Sequence, residues 1–112
     1  MKHAQLITYR LQNISRADAQ EQFFGPFTDY FATLDSLVSK VWLADEATGE
    51  CGGFYVWRDK EAFEDFMKSP AAADIMGRPY IVGLSSVDWP IDERASRATR
   101  GILSPAETPA EN

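Results

Sequence analysis

Residues 37–57, LVSKVWLADEATGECGGFYVW, leave little choice of local structure. Val38, Val41 and Trp42 on one side, and Phe54, Tyr55, Val56 and Trp57 on the other, are β-branched and aromatic types that suit a pleated, half-buried surface. Between the two runs lies Asp45-Glu46-Ala47-Thr48-Gly49-Glu50, polar and carrying a Gly free to take the positive φ of a tight turn. The stretch predicts an antiparallel hairpin. Pairing Asp45 with Glu50 sets Leu43 opposite Gly52, Val41 opposite Phe54 and Ser39 opposite Val56. That face is almost wholly aliphatic or Phe and is expected to lie under helices. The other face carries Val38, Lys40, Trp42, Gly53, Tyr55 and Trp57, too apolar for water and too polar-tipped for an ordinary core. A slip of one residue would exchange the two faces.

The rest of the chain supplies the hairpin's neighbours. Residues 4–11 read as a first strand, with Gln5, Ile7 and Tyr9 on one face and Leu6, Thr8 and Arg10 on the other. Ser15 offers N-cap chemistry, and from there to residue 36 Phe23, Phe27, Tyr30, Phe31 and Leu34 recur at helical spacing. Gly25-Pro26 predicts a kink or break in that helix. Asp59 is an N-cap for a second helix with Ala62, Phe63, Phe66 and Met67 on one stripe. Ser69-Pro70 ends it, a short helix over 71–76 follows, and a last strand runs over about 80–89. Residues 91–112 change composition: Arg94, Arg97 and Arg100, then SPAETPAEN, predict a partly disordered tail whose middle lies on a neighbouring subunit.

The order β-α-β-β-α-β is that of a ferredoxin-like α+β domain over residues 1–90: a four-stranded antiparallel sheet with helices on one face. At 112 residues and 45% hydrophobic the chain builds one domain with a real core. The sheet face left bare is expected to be the one with Lys40 and the indoles. A second copy would bury it, giving a dimeric α/β barrel with a chamber between the sheets.

The residues Ser39-Lys40-Val41-Trp42-Leu43-Ala44-Asp45, Thr48-Gly49 and Gly52-Gly53-Phe54-Tyr55-Val56-Trp57 resemble the core pattern S-K-x-W-L…T-G-x-x-G-G-x-Y-x-W of the YdhR-like mono-oxygenase family, and Thr99-Arg100-Gly101 resembles its tail. The likeness covers about residues 4–101. It implies membership of the dimeric α/β-barrel group, which includes small mono-oxygenases of antibiotic biosynthesis. Gly25-Pro26 and Pro70 depart from the regular helices expected there.

Several chemistries are excluded by what is missing. A net charge of −6 argues against nucleic acid and anionic membrane as partners. No run of about 18 apolar residues exists, and the start lacks a signal peptide, so a cytoplasmic protein is expected. Cys51 is alone and His3, the one histidine, sits at the chain start, where a structural or incidental role is expected; no metal site and no nucleophile–base pair is readable. Nicotinamide and flavin fingerprints are absent. What remains is Lys40 among aromatics. In the catalytic reading Lys40 stabilises a phenolate or enolate, Tyr55 hydrogen-bonds a substrate oxygen, and Trp42 and Trp57 stack on a flat aromatic or polyketide-like substrate, with Thr8 on the adjoining strand. The carbanion reacts with O₂ directly, so no cofactor is expected. The alternatives are a non-catalytic dimeric binder of a small hydrophobic metabolite and a purely structural subunit.

Overall fold

The computed structural model describes residues 1–101 of the chain. Strands β1 (His3–Leu11), β2 (Leu37–Asp45), β3 (Glu50–Trp57) and β4 (Ile81–Pro90) form one antiparallel sheet in the order β2-β3-β1-β4. The helices are α1 (Arg16–Ala19), a π-helical turn (Gln20–Phe24), α2 (Gly25–Ala32), α3 (Lys60–Met67), α4 (Pro70–Gly77) and α5 (Glu93–Ala98). This is the ferredoxin-like fold that the element order predicts. The residues 104–112, expected to be disordered, lie outside the described residues.

The hairpin register is the predicted one: Asp45 pairs with Glu50, Leu43 with Gly52, Val41 with Phe54 and Ser39 with Val56. Its turn is built locally. The Gly49 N–H donates to the Asp45 carbonyl at 2.8 Å with Gly49 at φ +78°, and the Ala47 N–H donates to the Asp45 side chain at 3.0 Å. Ser15 and Asp59 cap their helices as expected, accepting from the Asp18 and Ala62 N–H groups at 3.0 and 2.8 Å. Ser69 caps α4, whose first residue is Pro70.

At Gly25-Pro26 the helix does not break. It passes through the π turn, in which the Gly25 N–H reaches back five residues to the Gln20 carbonyl. A Cβ at Gly25 would lie 3.0 Å from that oxygen. Pro26 has no N–H to give the preceding turn, and the Gln22 carbonyl instead accepts from the Arg78 Nη1 at 2.9 Å. The wider turn has a packing consequence: adjacent residues Phe23 and Phe24 are both buried.

The faces of the sheet are the reverse of the expectation. Helices cover the side with Lys40, Trp42, Gly53, Tyr55 and Trp57, and that side also carries Gln5, Ile7 and Tyr9. Ring meets ring across the interface: Phe31 against Trp42 and Tyr55 at 6.2 and 5.5 Å, Phe24 against Trp42 at 5.8 Å, Phe66 against Trp57 at 5.0 Å. Such pairs add about 0.5–1.5 kcal/mol each to the area they bury. The polar tips do not prevent burial, because they are satisfied inside. The Trp57 indole N–H donates to Gln5 Oε1 at 2.9 Å, and Gln5 Nε2 donates to Ser86 Oγ at 3.0 Å. His3, expected at a loose chain start, is likewise buried, 2.6 Å from Asp88 and with its ring tilted against that of Phe63 at 5.0 Å.

The aliphatic side is the open one. Val41, Leu43, Phe54, Val87 and Trp89 stand exposed on it, Val41 and Trp89 by half their area. One end is closed by Ile91, which packs with Ala4, Val56 and Val38. Val38 reaches that cluster because the β2–β3 register shifts between Leu37 and Ser39, a bulge that takes it off the Lys40 face. Among the described residues no helix is long and apolar enough to cross a membrane.

Candidate functional site

Lys40 is the organising group of the site. It projects from β2, the edge strand, into the gap under α2. Its Nζ lies 3.3 Å from the ring centre of Trp42, 3.9 Å from Phe31 and 4.4 Å from Tyr55. No carboxylate pairs with it among the described residues. Burial pushes its pKa down to about 7. Near neutral pH the amine is therefore poised between base and cation, and the three ring faces hold the ammonium once it forms. Tyr55 is pushed the other way: burial raises its pKa, so it stays a phenol and a hydrogen-bond donor. Tyr9 is raised in the same way, first by burial.

Gly53 makes room for this arrangement. A Cβ there would sit 2.8 Å from Lys40 Cε and 3.1 Å from the Tyr55 ring. The adjacent Gly52 has a different reason: its Cβ would lie 2.2 Å from the Ile7 carbonyl oxygen in the neighbouring strand.

Access runs along the seam between α2 and β2. A groove of about 270 Å³ is lined by Thr28, Phe31, Leu37, Ser39, Lys40 and Trp42, among others. A second hollow, of about 160 Å³, is lined by Arg16, Gln20, Phe24, Thr28, Trp42, Leu43 and Ala44. The larger alone approaches the lower end of small-molecule sites, about 300 Å³. Behind Lys40 a closed void of about 10 Å³, room for one water-sized molecule, touches Tyr9, Phe27, Phe31, Trp42 and Tyr55.

Of the residues singled out in the sequence, Lys40, Trp42 and Tyr55 come together. Trp57 does not join them. It is fully buried, stacked between Tyr55 and Phe66, and serves as the floor on which Tyr55 rests. Thr8 lies on the opposite face of the sheet, paired with Gly52 and Ser85 and only partly buried. The hollow at Lys40 therefore lies within one chain, between sheet and helices. Sequence reasoning passed over Phe31, Tyr9, Thr28 and Arg16. The aromatic stripe of the first helix was the available signal, since rings of that size match an aromatic sheet face better than an aliphatic one. Among the described residues no three His, Cys, Asp or Glu side chains group to hold a metal ion.

The family described as putative mono-oxygenase ydhR matches residues 6–102. The chain belongs to the ydhR family. No curated protein matches it by sequence. Its fold recurs in solved structures of distant sequence. SnoaB, a cofactor-independent oxygenase from Streptomyces nogalater, is 14% identical with a TM-score of 0.63, over 80% of this chain and 92% of that one. A dimeric ferredoxin-like protein of unknown function from Thermobifida fusca is 15% identical with a TM-score of 0.64, over 81% and 92%. Hydroxynitrile lyase from Passiflora edulis is 13% identical with a TM-score of 0.64, over 82% and 94%. Proteins of this fold include an oxygenase and a lyase, so the activity must be argued from the Lys40 site.

Proposed function

We propose that this ydhR-family protein is a cofactor-independent mono-oxygenase of the cytoplasm, acting on a small aromatic or polyketide-like substrate. The observation that carries the reading is Lys40: an unpaired amine with its pKa near 7, walled by three aromatic rings at the end of an open groove. A flat substrate bearing an acidified CH₂ lies along the α2–β2 groove against Trp42. Neutral Lys40 takes a proton from that carbon, and the charge moves onto the substrate's oxygen. The new ammonium and the Tyr55 hydroxyl stabilise the oxyanion in a site of low dielectric. The carbanion gives electrons to O₂, a C–O bond forms, and the peroxide takes a proton. Loss of water then leaves a ketone: CH₂ and O₂ become C=O and H₂O, with no external reductant.

The test is oxygen uptake with a panel of anthrones and hydroquinones, with one O₂ consumed per ketone and no hydrogen peroxide released. Since the base is the neutral amine, turnover per bound substrate is expected to rise with pH and level off above about 7. A flat profile from pH 5 to 9 would remove Lys40 from the base role. Saturable quenching of Trp fluorescence with no oxygen uptake by any substrate would favour the rival, a non-catalytic binder.

The same reading includes a homodimer. Five large apolar side chains open on one sheet face are more than a soluble monomer ordinarily exposes as a contiguous patch. Two copies pressing these faces together bury them by a two-fold contact. Phe54→Lys, which sets a charge in that face, is expected to raise the dimer dissociation constant about 100-fold. Sedimentation that still shows a tight dimer for this variant would sink the face-to-face assembly.

A further inference from the structure

We infer that the substrate carries a carboxylate or comparable anionic group, held by Arg16 at the far side of Trp42 from Lys40. This rests on reading the Lys40 groove as a substrate site. The two hollows of the α2–β2 seam share Thr28 and Trp42, so they form one elongated cleft that crosses the indole. Its residues include two basic side chains, the Lys40 amine and the permanently charged Arg16, and no Asp or Glu. That is a local inversion of sign in a chain with 17 acidic and 11 basic residues and a net charge of −6. A cleft of one sign with low-dielectric walls focuses its field on a ligand of the other.

Arg16 is set for the task by its surroundings. Its guanidinium lies over the Phe24 ring at 5.4 Å, and the residue lines the smaller hollow. Among the described residues it makes no ion pair, unlike Arg58, Arg78 and Arg97, which pair with Asp59, Asp74 and Glu93. Gln20 and Thr28 supply further polar groups in the same hollow. Guanidinium matches carboxylate with two parallel hydrogen bonds, a geometry that an ammonium lacks. An aromatic ring on Trp42 with its acid group at Arg16 would place the opposite end of the ring system at Lys40.

The experiment is a binding one and needs no turnover. Calorimetry with 2-naphthoate and 2-naphthamide, equal in shape and different in charge, is expected to show the acid bound at least 10-fold more tightly at low salt. Arg16→Gln is expected to erase that preference while leaving naphthamide within twofold, and 200 mM KCl to narrow it in the wild type. Equal affinity for the two compounds, a preference that survives in Arg16→Gln, or no binding of naphthoate at millimolar concentration overturns the inference. Oxygen uptake is read separately: a preference for acids with no turnover defeats the oxygenase reading and leaves the anion site, and turnover of uncharged substrates alone defeats the anion site and leaves the oxygenase.

Discussion

Lys40→Met is expected to lower oxygen uptake at least 100-fold and, at neutral pH, to raise the melting temperature by about 10 °C. The first effect follows from removing a general base together with the cation that faces the oxyanion; proton transfer by a positioned group is worth about 10²–10⁴-fold. The second follows from the cost of burying an amine. Lys40 titrates at about 7 in the fold and at 10.5 in a free chain. Between those values the unfolded chain binds a proton that the folded one does not, so folding carries a penalty that shrinks as pH rises from 7 toward 10.5. Met keeps the shape without the penalty. A gain of about 2 kcal/mol, after allowance for water reaching the amine, corresponds to roughly the stated shift in a domain of this size. The sign has its own check: the gap in melting temperature between variant and wild type must close between pH 7 and pH 10. A variant that is less stable at pH 7, or equally active, would show that Lys40 is a packing residue held by its rings.

The two adjacent glycines of β3 are expected to fail in opposite ways when replaced by Ala. In Gly52→Ala the new methyl meets the Ile7 carbonyl oxygen at 2.2 Å, and that oxygen belongs to the β1 backbone. The strands must separate, so a loss of about 3 kcal/mol or more is expected in denaturant titration, with poor soluble yield. In Gly53→Ala the methyl meets Lys40 Cε at 2.8 Å, the far end of a flexible side chain. Lys40 can swing toward the groove at little cost in stability, under about 1 kcal/mol, but its amine then leaves the three rings. Uptake of oxygen is expected to fall about 10- to 100-fold, with the pH midpoint moving up toward that of an ordinary lysine as the amine is wetted. Equal stability losses in the two variants would show that Gly53 serves strand packing and not the seating of Lys40.

Most of the local structure was readable from residue types. The caps at Ser15 and Asp59, the turn at Gly49 and the 45–50 pairing all rest on chemistry within a few residues of chain. The π turn was not, because Gly25-Pro26 equally permits a break; what keeps the helix going is Arg78, more than fifty residues away, donating to the Gln22 carbonyl. Val38 was misplaced by one bulge. Trp57 was placed in the site because it shares the hairpin face of Lys40 and could stack on a substrate, but its indole is buried and bonded to Gln5 on another strand.

From the amino-acid order alone came which residues share a face of the hairpin, since side chains alternate with a period of two, and hence that Lys40, Trp42 and Tyr55 stand together. Which of the two faces the helices cover was settled only in three dimensions. Alternation has no up or down; the hand of the crossover between β1 and β2 and the fit of Phe24, Phe31 and Phe66 to rings rather than to aliphatic chains decide it. That choice moved the amine from a surface between two copies to an interior within one, where loss of water brings its pKa to about 7.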